Sequence, residues 1–254
     1  MTTAVVTGSA SGIGAATRAR LETGGHRVVG VDLRDAEIVA DLSSASGRAE
    51  AIRDILEACA GRIDRFVPCA GVNQSAPLAT VASVNYFGTI ELIDGLLDAL
   101  RAGEAPSCVA ICSNSARMAP YDETPYVQAL LAEDEAGAHA ALADGGHGFL
   151  AYAGSKLAVG KAIRRRAKAW GEAGVRLNAI APGATRTPLL ESTLADPQYG
   201  RFAKDLPVPL GRFAEPEEIA EVIEFLLGPA AAFVHGAIWY ADGGTDASLR
   251  PDDF

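Results

Sequence analysis

The 254-residue chain is poor in the residues that announce special chemistry or special surroundings. Its four cysteines, Cys59, Cys69, Cys108 and Cys112, match no metal-ligand spacing, so no metal site is expected. Three of them fall in apolar, strand-like runs. Buried, reduced thiols in a cytoplasmic protein are therefore expected rather than a disulfide framework. Cations are scarce as well: 22 Lys and Arg against 32 Asp and Glu give a net charge of -10. That balance argues against nucleic acid or an anionic membrane as a partner. No apolar run is long enough to suggest a membrane span. The first residues lack the basic segment and apolar core of a signal peptide. Linker-like, repetitive and low-complexity stretches are missing too, which leaves one domain over residues 1–254 as the expectation.

What the chain does have is alternation. Strand-like segments at 4–7, 27–32, 37–41, 65–71, 108–112, 175–180 and 237–241 are separated by helix-like ones. The helical stretches are 12–24, 44–60, 81–100, a segment running to about 170, and 216–228. Mostly apolar strands alternating with helices predict an α/β fold, a doubly wound parallel sheet of about seven strands with helices on both faces.

Two motifs carry chemistry. After the first strand comes a glycine-rich turn, Thr7-Gly8-Ser9-Ala10-Ser11-Gly12-Ile13-Gly14. Gly8, Gly12 and Gly14, with Ser11 and Ile13 between them, suit a turn that seats a dinucleotide pyrophosphate on a helix N-terminus. Asp32 ends the second strand, 18 residues after Gly14. A carboxylate there accepts hydrogen bonds from a ribose hydroxyl and repels a 2′-phosphate. Neither Leu33 nor Ser11 supplies a compensating cation, so NAD is expected over NADP, with Arg34 as the complication. The second motif, Tyr152-x-x-x-Lys156, puts a phenol and an ammonium on one helix face. The cation is expected to lower the phenol's pKa, making Tyr152 a general base or acid near working pH. Ser113 closes the fifth strand at its carboxyl end, where such sheets bind ligands, and is the candidate to hold a substrate oxygen; Ser115 is its rival. A nucleotide turn together with an acid–base tyrosine points to hydride transfer between an alcohol and a nicotinamide.

In motif order and over nearly its whole length, the chain resembles the short-chain dehydrogenase/reductase family. The resemblance implies a Rossmann-type fold and further site residues. Asp41 and Leu42 would flank the adenine, and Ala70 and Gly71 would lie beneath the cofactor, with Cys69 where the family usually has asparagine. Asn85 would be the fourth catalytic residue, holding a water that relays protons to Lys156. Pro182, Gly183, Thr185 and Thr187 would touch the nicotinamide carboxamide.

Tyr152 lies 39 residues after Ser113, farther than in typical members, so residues of about 117–150 form an insertion. Its stretch 126–143 is alanine-rich and is expected as helix, with Glu133, Asp134 and Glu135 on a solvated face. A lid, a dimerisation element and an inert excursion are all open. A homodimer, through the insertion, ranks above the tetramer, whose usual contact the insertion would obstruct. This insertion, the segment 84–88, the segment 170–178 and the C-terminal stretch resemble the bacterial 3α-hydroxysteroid dehydrogenase/carbonyl reductase subgroup. That implies a bulky apolar alcohol or ketone as substrate. A flap of about 185–212, carrying Leu189, Leu190, Leu194, Tyr199, Phe202 and Leu206, suits such a ligand. The same side chains would also serve simply to pack the flap. Aromatic, coniferyl-type or terpenoid alcohols are the alternative substrates. A non-catalytic NAD-binding sensor or interaction protein is the alternative of another class.

Overall fold

The structure, a computed structural model, describes residues 2–253. Seven strands form one parallel sheet in the order β3-β2-β1-β4-β5-β6-β7. They are β1 (Thr3–Thr7), β2 (Arg27–Asp32), β3 (Ile38–Val39), β4 (Arg65–Pro68), β5 (Ser107–Ile111), β6 (Arg176–Pro182) and β7 (Ile238–Ala241). Side chains alternate across a strand, so each interior strand feeds two cores. Val5, Val29, Phe66, Cys108 and Ala110 face one layer, while Ala4, Val6, Val28, Val67, Val109 and Ile111 face the other. Both faces are buried, and this is why the strands read as continuous apolar runs.

Helices α1 (Gly12–Thr23) and α2 (Ala45–Ala58) follow β1 and β3. Ser44 caps α2 by accepting from Gly47 N. The long helical stretch expected over 81–100 is present but is not one regular α-helix. It consists of α3 (Leu78–Ala82), a π-helical turn (Ser83–Phe87), α4 (Gly88–Gly95) and α5 (Leu97–Arg101). Within this stretch the Thr89 hydroxyl donates to the Asn85 carbonyl at 2.9 Å, a side-chain intrusion of the kind that distorts helices.

The stretch 126–143 is likewise two helices, α6 (Pro125–Leu131) and α7 (Glu135–Ala143). Glu133 takes a left-handed φ of 59°, and Asp134 then caps α7 by accepting from Gly137 N at 2.9 Å. Glu133 and Asp134 are exposed, as expected of a solvated face, whereas Glu135 is partly buried. Glu133 pairs with Arg166, Asp134 caps, and Glu135 pairs with the buried Arg48. Both helices lie against their own chain, α6 on α8 (Gly148–Glu172) and α7 on α3. The Tyr126 ring sits where a side chain on Gly154 of α8 would have to go, and its hydroxyl donates to Ala151 O at 3.0 Å.

After β6 the chain forms α9 (Pro188–Ala195) and α10 (Gly200–Asp205). It returns through α11 (Pro216–Leu227), which packs on α1, and ends with α12 (Thr245–Leu249). Among the described residues, no helix is long and apolar enough to cross a membrane, and no group of three His, Cys, Asp or Glu could hold a metal ion. Sheet order reverses between β1 and β4, and the carboxyl ends of these strands open a crevice at that point.

Candidate active site

One cavity of about 560 Å³ occupies the crevice. Its nucleotide end is made from backbone. Gly8 has a φ of +67°, and a Cβ there would meet Ala70 Cα at 2.9 Å. A Cβ on Gly14 would lie 2.0 Å from Gly8 O. Both positions therefore require glycine, and the close turn leaves the N-terminus of α1 bare toward the cavity. Ser11, Gly12, Ile13, Asp32, Leu33, Asp41 and Leu42 line the same end. Asp32 is oriented by its surroundings: Oδ2 accepts from Ala10 N at 3.0 Å and Oδ1 from Leu33 N at 2.7 Å. Ala70, Gly71, Pro182, Gly183, Thr185 and Thr187 continue the lining toward the middle. The donors and shape suit a nicotinamide dinucleotide, which supplies or takes hydride when bound.

Cys69 occupies the family's asparagine position without leaving the turn unsupported. Thr7 Oγ1 accepts from both Cys69 N and Ala70 N, each at 3.0 Å. Burial pushes the Cys69 and Cys112 thiols up to about 12, so both are neutral in the working range.

At the chemical end Ser113, Tyr152 and Lys156 line the cavity together. Lys156 is buried and donates to Ile111 O at 2.9 Å. Burial holds its pKa below the usual lysine value. The Tyr152 phenol departs from the sequence expectation: in the protein alone its pKa is raised, not lowered. Burial is the dominant cause and outweighs the Ser113 hydrogen bond, which favours the phenolate. The physical reason is desolvation, which disfavours the charged form of phenol and ammonium alike.

The two serines hold different positions. Ser113 is beside the phenol, whereas Ser115 donates to Ser113 Oγ from both its backbone N and its hydroxyl. Asn85 is buried in the π-helical turn. Its Oδ1 accepts from Val72 N (2.9 Å), and its amide donates to Val72 O (3.0 Å) and Ser155 Oγ (3.3 Å). It thus secures the loop after β4, with Lys156 Nζ and Asn85 Oδ1 both bordering Gly71.

Above these groups Leu189, Leu190, Tyr199, Phe202 and Leu206 of the flap line the cavity, while Leu194 does not. The flap is tied down by polar contacts: Asn73 Nδ2 donates to Ser192 Oγ at 2.7 Å and Ser75 Oγ to Asp196 Oδ2 at 2.5 Å. Sequence reasoning missed Met118 and Phe149, which also line the cavity. Phe149 packs edge-on against Phe202 (5.7 Å) and Tyr121 (6.2 Å). Its spacing from Tyr152 and Lys156, three and seven residues, marks one helix face and was the available signal.

This is the arrangement of an oxidoreductase that works on hydroxyl groups with a nicotinamide cofactor, and the chain belongs to the short-chain dehydrogenase/reductase family. The family model described as short chain dehydrogenase matches residues 2–129, and the one described as enoyl-(acyl carrier protein) reductase matches 136–246. Among curated relatives, the 3-alpha-hydroxysteroid dehydrogenase/carbonyl reductase of Comamonas testosteroni is 52% identical, with 100% of each chain covered. The cis-4-hydroxycyclohexanecarboxylate dehydrogenase of Sinomonas cyclohexanicum is 32% identical over 96% of each. Among solved structures, the 3-alpha-hydroxysteroid dehydrogenase from Pseudomonas sp. B-0831 complexed with NADH superposes with a TM-score of 0.98. It is 47% identical, again over 100% of both chains.

Proposed function

We propose that this protein is an NAD-dependent 3α-hydroxysteroid dehydrogenase/carbonyl reductase. What carries the reading is one continuous cavity. It joins the glycine turn and Asp32 to Ser113, Tyr152 and Lys156, under an apolar roof closed by Phe149 and Phe202. Full-length identity of 52% to the Comamonas enzyme supports the substrate class. Tyr152 gives a proton to the carbonyl oxygen in reduction and takes it from the hydroxyl in oxidation. Ser113 holds that oxygen, and Lys156 and Asn85 order the groups around the phenol. Gly8, Ser11, Gly12, Ile13, Gly14, Leu33, Asp41, Leu42, Ala70, Gly71, Pro182, Gly183, Thr185 and Thr187 hold the cofactor with Asp32.

The preference for NAD rests on Asp32. Arg34 is exposed and outside the cavity wall, and Arg18, the cation beside β2, is held by Glu37 and Glu22. Neither arginine lines the cavity beside Asp32, which supports NAD over NADP.

Initial rates of NAD reduction with a 3α-hydroxysteroid, a coniferyl-type alcohol and a simple cyclic alcohol test the substrate class. Preference for either of the latter overturns it. Tyr152→Phe tests the chemistry, since turnover should vanish while calorimetry still detects NAD. Undiminished turnover removes Tyr152 from its role, and NAD binding with no turnover on any alcohol favours the sensor reading.

We also infer a homodimer. The insertion offers little apolar surface for it, because Tyr126, Val127, Leu130, Ala138 and Leu142 are buried within their own chain. Among the exposed apolar side chains, Trp239 and Tyr240 lie on β7, Phe233 lies just before it, and Phe225 packs against Trp239. They support association at that edge, and a monomer by light scattering overturns it.

A further inference from the structure

The Ser113 oxygen receives two hydrogen bonds from one residue. Ser115 N donates to it at 3.1 Å, and Ser115 Oγ donates to it at 2.9 Å. A serine hydroxyl has one proton and two lone pairs. With both lone pairs engaged by Ser115, only the proton remains to be given. We propose that Ser115 is a positioning residue that fixes Ser113 as a donor, able to give a hydrogen bond to the substrate oxygen but not to accept one from Tyr152. The proposal rests on the reading of Ser113 and Tyr152 as the groups that hold the reacting oxygen.

The direction of that bond matters for both reactions. A carbonyl oxygen offers two lone pairs, one for the proton of Tyr152 and one for the proton of Ser113. A Ser113 free to accept would offer the neutral phenol a competing destination for its proton, and would stabilise Tyr152 in its protonated form. Ser115 closes that option. Its own placement is firm: it is buried in the 3₁₀ turn Asn114–Arg117, which begins at Ser113, and Ala116 N donates to Ser113 O at 3.1 Å. The other groups around the phenol cannot take over the role. Lys156 gives one of its three protons to Ile111 O and makes no hydrogen bond to Ser113, and the Cys112 thiol stays protonated. Cys69, which faces Lys156, is also protonated.

The test compares wild type, Ser115→Ala, Ser115→Thr and Ser113→Ala, following kcat and KM across pH with a 3α-hydroxysteroid. Ser115→Ala is expected to lose about tenfold in kcat with KM changed by less than about twofold, the size of one net hydrogen bond. Its acid limb is expected to move up by about half a unit, because Ser113 can then accept from the neutral phenol. Ser115→Thr keeps the hydroxyl and should restore rate and limb together, which a packing role alone would not do. If Ser115→Ala superimposes on wild type while Ser113→Ala is inactive, the positioning role is overturned and the reading of the site stands. If Ser113→Ala is as active as wild type, both fall. Should circular dichroism find Ser115→Ala unfolded, Ser115→Cys, of similar size and a weak donor, carries the same comparison.

Discussion

Arg48 and Glu135, 87 residues apart, form a two-pronged ion pair, with Arg48 Nη1 and Nη2 at 3.2 and 2.6 Å from the two carboxylate oxygens. The Arg48 side chain is only 1% exposed and has Glu91 as its second partner at 2.8 Å. Glu135 in turn accepts from Ser83 Oγ at 2.6 Å, so helix α7 of the insertion is fastened to α2 and to the turn that carries Asn85. This pairing gives the inserted segment a structural role inside its own chain.

Removing Glu135 leaves the buried Arg48 guanidinium with Glu91 as its remaining carboxylate partner. Glu135→Ala is expected to cost about 3 kcal/mol, the low end for breaking a buried pair because Glu91 remains. A urea melt would read it, and a loss under about 1 kcal/mol would show the pair to be superficial. The pH dependence has a definite sign. Burial alone would raise the Glu135 pKa, but Arg48 and Ser83 prevail and hold it below the usual glutamate value. The stabilisation is therefore present above the ordinary carboxylate range and is lost as pH falls through it toward the depressed folded value. Glu135→Gln should lack that component of acid sensitivity.

In the proposed reading, Asp32 is the residue that selects NAD over NADP. Replacing it with serine removes a charged acceptor from the ribose and the repulsion of a 2′-phosphate. KM for NAD should rise about tenfold or more, and the NADP to NAD ratio of kcat/KM should increase by a similar factor. Steady-state kinetics with both cofactors check this. An unchanged ratio would move the selectivity elsewhere, Arg34 first.

In the proposed reading, the aromatic side chains around Phe149 select for substrate size. Phe149→Ala leaves Phe202 without its edge-to-face partner and opens the cavity beside Tyr121. Efficiency toward a hydroxysteroid should fall about tenfold, the value of an aromatic contact with a bulky apolar ligand. Efficiency toward a small cyclic alcohol should stay within about twofold. Equal losses on both substrates would mean that Phe149 shapes the catalytic face rather than the distal pocket.

Much of the molecule was legible in the chain itself. The alternation of apolar runs with helical stretches determined a parallel sheet buried on both sides, because only that arrangement hides strands apolar on both faces. Gly8 and Gly14 determined the nucleotide turn, since no other residue fits a Cβ position filled by Ala70 or Gly8 backbone. Tyr152 and Lys156 were bound to share a face by helical periodicity alone. Only the tertiary structure decided what depends on distant partners. Local pattern wrote 126–143 as one helix, but Glu135 turns inward to meet Arg48 from α2, so the break falls just before it. Periodicity likewise made 81–100 continuous, although a π-helical turn places Asn85 against Val72 and Ser155. Tyr152 read as acidified by its lysine, yet burial of both groups reverses the direction in the protein alone. The choice between Ser113 and Ser115 was open in sequence because both occupy one short loop. The local hydrogen bonds from Ser115 to the Ser113 hydroxyl separate their roles, and only the packing of β5 and α8 sets Ser113 beside the phenol.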